Sequence, residues 1–485
     1  MQKLPIVLLG VGLLLAVGAG LVGFFIFPAI IESKVSQQVR LVKDGDTYKK
    51  WENIPIPIFM EIHIFNVTNP EEIVKGGKPV VHDIGPYVYQ QQRRKINVTL
   101  FDNDTIEYQQ VIEYFFRPDK SSGTEDDEIS VINLPFVGFA AKAMKKGTVA
   151  RSLAFETMRE DHEDEPVFLR LTVREFLFEG YCVPFMKTMS DLSGEQLLVN
   201  NTFGLYFNKN GTTNDWLSVY AGVEDNTKFG NIATFNREPT LEFWNEDPYC
   251  NMINGSDGAL FPPFVTRDRR LDIFSPELCR SLYLEYDSDT TIQGLTGYRF
   301  TLPKKVLEDP RVNDANKCFC TDPGVEMAKC PKQGAYQLES CRKGAPIIVS
   351  LPHFLDGDQE YLENVLGLQP DRSIHETVIT LEPTTGVLLE AKKRIQINLD
   401  VAPNKYLPKL KKLPNVVLPI VWVDESAALT EQSAERIKGK LIKPQEIVGA
   451  GSWGILGFGA FLILLAVLIF IIRSRKQNYK PGATY

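Results

Sequence analysis

Two long stretches of the chain contain no charged side chain. They run from Leu4 to Ile31 and from Ile447 to Ile472, and each exceeds the roughly 20 residues that a helix needs to cross the hydrocarbon core of a bilayer. A cleavable signal peptide is the alternative for the first stretch, but its apolar region would be only about 7–15 residues long. The pattern therefore predicts two retained transmembrane helices, at residues 4–31 and 447–472.

Between these stretches apolar and polar residues mostly alternate, which is typical of β-strands with one buried face. The clearest examples are Met60–Val67, Tyr87–Tyr89, Ile106–Tyr108 and Arg394–Asp400. Asp102–Asp104 separates two such segments, at 97–101 and 105–108, and predicts a hairpin turn because Asn and Asp tolerate positive φ. Residues 32–446 are therefore predicted to form a β-rich domain.

One segment of this domain has the spacing of an amphipathic helix instead. The apolar residues that recur at this spacing are Phe136, Phe139, Ala140, Ala143 and Met144. A second helix is predicted from Thr148 to about Met158, with Ala150, Leu153 and Ala154 on one side. The charged run from Arg159 to Glu165 ends it before Pro166. Two short helices in a β-rich domain form either a lid or tip that meets ligands or a plug for one end of the core, and periodicity favours the plug.

The charge of the chain argues against nucleic-acid binding. It has 53 Lys and Arg residues against 61 Asp and Glu residues, a net charge of −8 and a pI near 5.4. A nucleic-acid binder needs a basic face that neutralises phosphates. That functional class is therefore excluded first.

The distribution of cations predicts the topology, because positive flanks of transmembrane helices stay in the cytoplasm. Lys3 precedes the first span, and four cations follow the second: Arg473, Arg475, Lys476 and Lys480. Residues 1–3 and the tail 473–485 are then cytoplasmic. Since these five cations lie outside residues 32–446 and all 61 acids lie inside, the extracytoplasmic domain has a net charge of −13.

Sequons and cysteines agree with an extracytoplasmic location. Six Asn-X-Ser/Thr sequons lie between the spans, at Asn66, Asn97, Asn103, Asn200, Asn210 and Asn254. All seven cysteines also lie there: Cys182, Cys250, Cys279, Cys318, Cys320, Cys330 and Cys341. Six of them fall within residues 250–341, which favours disulfides formed in an oxidising compartment.

Two features decide between disulfides and a metal site. Cys318 and Cys320 point the same way in an extended chain but lie too far apart for a comfortable bridge, so they are expected to have separate partners. A zinc site would require closely spaced Cys or His pairs. The five histidines, His63, His82, His162, His353 and His375, provide no such spacing. Disulfides are therefore predicted, without a metal or other cofactor.

Several blocks of sequence carry a resemblance to a known family. They are Phe65–Glu72, Ile84–Tyr87, Cys250–Asp257, Phe261–Phe264, Leu278–Ser281, Ser350–Phe354 and Ala391–Asn398. These blocks closely resemble the class B scavenger receptor family. The matching region runs from about Trp51 to Val423 with a hydrophobic span at each end, as in the family, so it covers nearly the whole chain.

The resemblance implies a β-rich α+β fold: a large antiparallel β-barrel ectodomain with a helical apex, anchored by two transmembrane helices. It also implies a lipid receptor in which ligands meet the apex and pass through an internal apolar tunnel toward the bilayer. Such a conduit is physically reasonable, because exposing a lipid to water costs about 0.8 kcal/mol per CH₂ group. The implied partners are lipids, other hydrophobic small molecules or lipoproteins.

The resemblance also assigns individual residues. It implies the disulfides Cys250–Cys318, Cys279–Cys341 and Cys320–Cys330, and ligand entry beside Phe136, Phe139, Lys142, Met144, Lys145 and Lys146. Some family members bind polyanionic particles through apical lysines, where this chain has the acidic run Glu160–Glu165. The lysines of this chain form either an entry patch or only a solvated face. Cys182 is left over and is expected to be buried rather than to form an intermolecular link.

Alternatives of other classes remain open at this point. The tail lacks an acidic dileucine signal such as lysosomal relatives carry, so the plasma membrane is favoured over the endolysosomal membrane. The block Cys318–Cys320 followed by Cys330–Gly334 also resembles sensory neuron membrane proteins, so a pheromone co-receptor is one alternative. A receptor that binds a protein at the apex, for trafficking or adhesion, is another. An enzyme is not predicted, because no hydrolase elbow, zinc-helix motif or phosphate loop occurs between the spans.

Overall fold

The computed structural model describes residues 3–160, 164–193, 196–245, 247–320 and 330–478. They form two compact units. One combines the terminal segments, 3–39 and 430–478, with residues 293–295, and the other comprises the remaining described residues between 40 and 429.

Helices of both units are named here in chain order. The α-helices are α1 (Lys3–Leu21), α2 (Phe27–Gln38), α3 (Asp46–Glu52), α4 (Pro70–Ile73), α5 (Leu134–Met144), α6 (Thr148–Glu160), α7 (Pro184–Ser193), α8 (Gln359–Asn364), α9 (Arg372–His375), α10 (Glu431–Ile437) and α11 (Lys443–Asn478). The π-helical turns are Val22–Ile26, Glu175–Glu179 and Lys438–Ile442. The described 3₁₀-helices are Val199–Asn201, Asn226–Lys228, Lys304–Leu307, Asp314–Phe319, Pro352–Phe354 and Pro408–Leu410.

The second unit contains the strands. They are β1 (Ile58–Val67), β2 (Val81–Leu100), β3 (Thr105–Phe116), β4 (Glu128–Ile132), β5 (Phe168–Thr172), β6 (Tyr181–Cys182), β7 (Thr202–Phe203), β8 (Leu217–Tyr220), β9 (Ile232–Phe235), β10 (Leu271–Ser275), β11 (Arg280–Ile292), β12 (Leu295–Thr301), β13 (Ala335–Gln337), β14 (Ile347–Ser350), β15 (Val378–Leu381), β16 (Leu388–Val401) and β17 (Val416–Ala428).

The terminal unit consists of two long apolar helices. One runs without interruption from Lys3 to Gln38 and the other from Glu431 to Arg475, and both are long and apolar enough to cross a membrane. This agrees with the two predicted spans. The helices approach closely at Gly12 and Gly459, where a Cβ on either glycine would lie 2.7 Å from the carbonyl oxygen of the other. Small residues permit this backbone contact, as is common between transmembrane helices.

Thirteen strands form one large antiparallel sheet. The order is β10-β11-β12-β15-β16-β17-β1-β2-β3-β8-β9, and β13 joins through β14 to β16. Two further pairs, β4–β5 and β6–β7, form small separate sheets. The predicted fold class, a large antiparallel sheet with helices and two terminal apolar helices, is confirmed.

The large sheet closes almost completely through Gly255 and Ser256, which bridge its outer strands. Ile232 N of β9 donates to Gly255 O (2.8 Å), and Phe274 N of β10 donates to Ser256 O (2.8 Å). Gly255 has a φ of +85°, and a Cβ on it would lie 1.9 Å from the carbonyl oxygen of Asp272. Only glycine therefore fits at this position.

Side-chain contacts across the sheet identify its inward face. Lys393 of β16 donates through Nζ to the carbonyl oxygen of Asp257 (3.0 Å), next to the closing segment. β16 and that segment lie far apart in the strand order, so Lys393 reaches across the interior. Directly paired residues share a face. Lys393 is paired with Glu425, Glu425 with Met60, and Met60 with Tyr89, so all four point inward.

Local predictions from the sequence have different outcomes. The hairpin turn is confirmed, since β2 ends at Leu100, β3 begins at Thr105 and Asp104 has a φ of 61°. Both predicted helices are present as α5 and α6. In α6, however, the buried face consists of Phe155 and Met158, while Ala150 and Leu153 are exposed. Phe155 is buried because its ring stacks on Tyr406, with centroids 4.9 Å apart.

The cysteines pair as Cys250–Cys318, Cys279–Cys341 and Cys320–Cys330, which are the pairs that the resemblance implies. Cys182 is free and exposed, so the expectation that it is buried was wrong. Strand β6 has only two residues, and successive side chains of a strand point to opposite faces. Tyr181 packs onto Phe203 with ring centroids 5.9 Å apart, which leaves Cys182 on the solvent side.

Candidate functional site

Helix α5 begins at a buried asparagine. The side chain of Asn133 is fully buried, and its Oδ1 accepts a hydrogen bond from Phe136 N (3.1 Å). Its Nδ2 donates to Pro166 O (3.0 Å) and to Oε1 of Glu165 (2.8 Å). The end of the acidic run is thereby tied to the start of α5. Residues 161–163 of that run lie outside the described residues.

The apolar residues predicted at a ligand entrance pack into the protein core. Phe136 is 2% exposed and lies edge-on to Phe185, with ring centroids 5.7 Å apart. Phe139 and Met144 are half-buried and pack against the same core. The exposed apolar side chains of this helical pair are instead Val149 (84%) and Leu153 (49%), which lie one turn apart on α6. These two belong to the side of α6 that packing leaves free.

The three predicted lysines differ in their surroundings. Lys145 forms an ion pair with Glu339. Lys142 is half-buried, and its aliphatic carbons lie beside Gly344. Lys146 is exposed. Only Lys146 therefore extends freely into solvent next to Val149.

A polar cluster lies on the inward face of the large sheet, and we call it the interior polar cluster. It consists of Gln91 and Arg93 on β2, Lys393 on β16 and Glu425 on β17. Arg93 donates through Nη2 to Glu425, and through Nε to Oε1 of Gln91 (2.9 Å). Nζ of Lys393 lies 3.6 Å from Oε1 of Glu425. One carboxylate is thus shared by two cations inside the sheet.

Charge interactions outweigh burial in setting the pKa of Glu425. Burial alone would raise the pKa of Glu425, but Arg93 and Lys393 outweigh it and lower that pKa to about 2. Lys95 follows Arg93 on the same face of β2 and is 5% exposed. Burial lowers the pKa of Lys95 to about 8, so it is mostly protonated at neutral pH. The space that the sheet surrounds therefore contains several charged side chains.

Five aromatic residues border this cluster and form what we call the aromatic wall: Tyr89, Tyr114, Phe116, Phe178 and Tyr206. Phe178, in the π-helical turn Glu175–Glu179, is its centre. Its ring centroid lies 4.6 Å from that of Tyr89, 5.2 Å from Tyr114 and 5.3 Å from Tyr206. Tyr114 is paired with Gln91 across β2 and β3, so the wall and the cluster meet.

The inward-facing side chains retain accessible surface. The exposed fractions are 13% for Arg93 and 25% for Glu425, and four members of the aromatic wall are half-buried. A cleft of about 320 Å³ lies where the segment 53–57 runs beside β2, and it is lined by Gln91 and Arg93 together with Gln90 and Gln92, which point to the other face. Because Arg93 and Glu425 point inward, part of this surface borders the space that the sheet surrounds. The described residues therefore leave room beside the cluster.

A second polar network lies on the outward face of the sheet. His63 is paired with Trp422, and their rings stack with centroids 3.8 Å apart. The carboxylate of Asp83 bonds to His63 Nδ1 (3.3 Å), His353 Nε2 (2.9 Å) and Trp422 Nε1 (2.9 Å). Burial would raise the pKa of Asp83, but hydrogen bonds from these three rings hold it far below its usual range. This network fastens the 3₁₀-helix Pro352–Phe354 to the sheet.

The predicted glycosylation sites differ in exposure. Asn97, Asn103, Asn200 and Asn210 are exposed, which suits a glycan. Asn66 and Asn254 are half-buried. Oδ1 of Asn66 accepts from Ser130 N (2.8 Å), and Asn254 adjoins the segment that closes the sheet.

Sequence reasoning missed the interior polar cluster and most of the aromatic wall. The only local signal is the run Gln90–Lys95, in which consecutive polar residues hide the alternation of a strand. The partner of Arg93, Glu425, is 332 residues away. A sequence pattern cannot reveal such a pair.

Comparisons with known proteins agree with this architecture. A family model described as the CD36 family matches residues 10–470. Scavenger receptor class B member 1 of Cricetulus griseus is 32% identical over 472 residues, covering 97% of this chain and 89% of that protein. Sensory neuron membrane protein 1 of Manduca sexta is 32% identical over 479 residues, covering 93% and 89%. Sensory neuron membrane protein 2 of the same organism is 31% identical over 481 residues, covering 93% and 90%.

Proposed function

The chain belongs to the CD36 family, and from this premise we propose that it is a membrane receptor that binds hydrophobic ligands and passes them through the interior of its large sheet toward the bilayer. Its ligands are lipids, other hydrophobic small molecules or the lipids of lipoproteins. Moving them along the aromatic wall inside the sheet avoids part of the cost of about 0.8 kcal/mol for each CH₂ group exposed to water.

One observation carries this proposal: the aromatic wall and the interior polar cluster face inward yet retain accessible surface. A fully packed core would leave none, since protein interiors are packed as densely as organic crystals. Aromatic side chains with a few polar groups are typical of small-molecule sites. The interior thus has the lining that a hydrophobic ligand with a polar end requires.

We place ligand capture at helices α5 and α6. Val149 and Leu153 present apolar surface to solvent, and Lys146 adds a positive charge beside them. Phe136, Phe139 and Met144 lie beneath, in the core. In this arrangement α6 makes the first contact with the ligand and α5 supports it.

The test is to block the interior with one bulky side chain. Ala427 is half-buried and is paired with Ile58 and Ala391 on the inward face, so Ala427→Trp places an indole in the interior. Ser426→Trp is the matched control, because the neighbouring residue points to the other face. We expect Ala427→Trp to lower uptake of radiolabelled palmitate and cholesterol per receptor at the cell surface, and Ser426→Trp to preserve it. Equal uptake by both variants at equal surface expression would refute passage through the interior.

We further propose that both termini are cytoplasmic and that the receptor resides in the plasma membrane. The cations Lys3, Arg473 and Arg475 next to the spans and the six sequons between them support this orientation. Lys480 belongs to residues 479–485, which lie outside the described part of the chain. An epitope tag at the C-terminus should bind antibody only after permeabilisation, and a tag accessible on intact cells would contradict the orientation.

A receptor for a protein partner is the second candidate. It is favoured by Val149 and Leu153, since exposed apolar side chains one helical turn apart suit a protein contact as well as a lipid. Sensory neuron membrane proteins are as similar to this chain as the scavenger receptors are, so a pheromone co-receptor is also considered. Lipid extraction and mass spectrometry of the purified receptor separates these functions: bound lipid favours the conduit, and lipid-free protein that retains a partner favours the second candidate.

A further inference from the structure

Arg280, the first residue of β11, is a buried arginine whose guanidinium is poorly satisfied by the protein. The residue is 4% exposed. Its guanidinium carbon lies over the ring of Phe319, 3.5 Å from the centroid, and 5.2 Å from the ring centroid of Tyr336. Its one hydrogen bond to a described residue runs from Nε to Ser281 O, and at 3.4 Å it is long. The N–H groups of Nη1 and Nη2 therefore have no acceptor in the described part of the chain.

No carboxylate among the described residues neutralises this guanidinium. Burial lowers the pKa of Arg280 to about 10, and the groups that oppose the shift are the hydroxyls of Tyr336, Tyr249 and Tyr283. The side chain is therefore still protonated at neutral pH. The faces of the two rings attract the cation, but they replace only part of the solvation that burial removes. Because an isolated buried charge is strongly unfavourable, this position favours an anion beside the guanidinium.

A small cleft lies beside the guanidinium. Phe319 and Tyr336, which contact the head of the Arg280 side chain, also line the cleft, so this head and not the aliphatic stem borders it. The free volume is about 10 Å³, which is close to the space that one water-sized particle occupies. Glu308 borders the cleft as well. Its carboxylate is not among the groups that raise the pKa of Arg280, so it does not act as the counterion.

The size of the cleft selects the kind of anion. A carboxylate, phosphate or sulfate ion consists of several heavy atoms and does not fit into a space for one particle. Chloride is a single atom that is only slightly larger than water, and it can accept hydrogen bonds from both Nη1 and Nη2. Val306 and Leu307 are apolar members of the lining and offer no competing side-chain acceptor. A water molecule would fill the same space but would leave the charge of Arg280 unneutralised.

We propose that Arg280 and this cleft form a halide site, in which chloride accepts hydrogen bonds from Nη1 and Nη2 and neutralises the buried guanidinium. This inference goes beyond the proposed function, because it does not require that a ligand passes through the sheet. Cys320 of the disulfide Cys320–Cys330 also lines the cleft. The ion thus stabilises the disulfide-linked part of the domain, and the stability of the receptor rises with the chloride concentration.

The test measures the melting temperature of the full chain in detergent while sodium gluconate is replaced stepwise by sodium chloride at constant ionic strength. Gluconate is far too large for the cleft, and constant ionic strength leaves the screening of surface charges unchanged. A ligand that binds only the folded state stabilises it by mass action. We expect the melting temperature to rise by about 2 °C with chloride and to level off as a single site fills.

Two arginine variants separate this site from a general salt effect. Arg280→Met replaces the guanidinium with an apolar group, so the melting temperature of this variant should no longer respond to chloride. Arg270→Met is the matched control, because Arg270 also lies over a ring, 4.6 Å from the centroid of Tyr283, but is 49% exposed and paired with Asp272 (2.9 Å). It should respond as the wild type does. Equal melting temperatures of the wild type in both salts, or a full chloride response in Arg280→Met, would overturn the halide site.

Crystals of the wild-type chain grown in sodium bromide cover the case in which Arg280→Met does not fold. Bromide scatters anomalously, so it can be distinguished from water at the same position. We expect an anomalous peak beside Nη1 and Nη2 of Arg280. Peaks at the protein surface alone would mean adventitious ions only, and the halide site would then be rejected.

Discussion

The imidazole rings of His353 and His375 lie nearly parallel, with centroids 4.5 Å apart and 19° between their planes. Both side chains are buried, at 4% exposure each. Nδ1 of His353 accepts from Gln369 N (3.1 Å), and Nδ1 of His375 accepts from Asp371 N (2.9 Å). A ring nitrogen that accepts a hydrogen bond carries no proton, so the backbone N–H of Asp371 favours the neutral form of His375.

Acidification should weaken the fold through His375. Burial, and then the neighbouring His353, lower the pKa of His375 from 6.5 to about 4. Between these values the unfolded chain binds a proton that the folded chain does not, so stability falls as the pH falls through this interval. At about 1.4 kcal/mol per pKa unit, the loss approaches about 3 kcal/mol below pH 4.

Melting temperatures of the full chain in detergent, measured at neutral pH and at about pH 5, test this effect. His375→Gln keeps an oxygen that can accept from Asp371 N but cannot titrate, so its melting temperature should fall less on acidification. Burial raises the pKa of Glu61 and Asp424 nearby, which acts in the opposite direction. Both acids are present in wild type and variant, so their effect cancels in the difference. Identical pH profiles would exclude His375 as the cause.

The disulfides should differ in their contribution to stability. Cys320–Cys330 closes a loop of sequence separation 10, whereas Cys250–Cys318 closes one of 68. Chain entropy then assigns about 3 kcal/mol to the short loop and about 4 kcal/mol to the long one. Urea unfolding of the two Cys→Ser double variants should show the larger loss for Cys250 and Cys318. Peptide mapping that recovered a Cys318–Cys320 link would contradict the pairing itself.

Phe136 and Val149 should separate the structural and ligand-facing roles of the helical pair. Phe136→Ser removes a buried ring that contacts Phe185, which should cost about 3 kcal/mol or more and reduce folded receptor at the cell surface. Val149→Ser, at 84% exposure, should leave surface expression unchanged. If α6 meets ligands, the second variant, combined with Leu153→Ser, should lower uptake per receptor. Unchanged uptake would show that ligands enter elsewhere.

The first apolar helix should tolerate a larger side chain at Gly10 but not at Gly12. A Cβ at Gly12 lies 2.7 Å from Gly459 O, so Gly12→Leu should force the helices apart at a cost of about 1–3 kcal/mol. Gly10→Leu is the control, because nothing lies within 4 Å of its Cβ position. Thermal denaturation in detergent should show a lower midpoint for Gly12→Leu alone. Equal midpoints would mean that this helix contact contributes nothing to stability.

Local patterns predicted the elements but not the contacts between them. The uncharged runs identified both apolar helices, and alternation identified β1 and β16, because each element buries its own periodic face. Helix α6 shows the limit of this reasoning. Its pattern singled out Leu153, but packing against Tyr406 selects Phe155 for burial. Which side of a short helix is covered depends on a partner that is remote in sequence.

The polar contacts of the candidate site could not be predicted from the sequence, for a related reason. Arg93 and Glu425, or Asp83 and Trp422, meet only when the sheet brings β2 beside β17 through β1. In the sequence, Arg93 lies in a polar run that is typical of a solvated strand. It is interior because the sheet closes around it, and closure is a property of the whole domain.

The residues Gly255 and Ser256, which bridge the outer strands of the large sheet, bear on whether receptor copies aggregate. An outer strand with unpaired N–H and C=O groups is a template on which another chain can add a strand, which leads to aggregation. Gly255 accepts from the N–H of Ile232 on β9, and Ser256, at 1% exposure, bonds to the backbone of Asp272 and Phe274 on β10, so this segment covers part of both outer edges. Receptors confined side by side in one bilayer can therefore collide frequently without polymerising through their sheets.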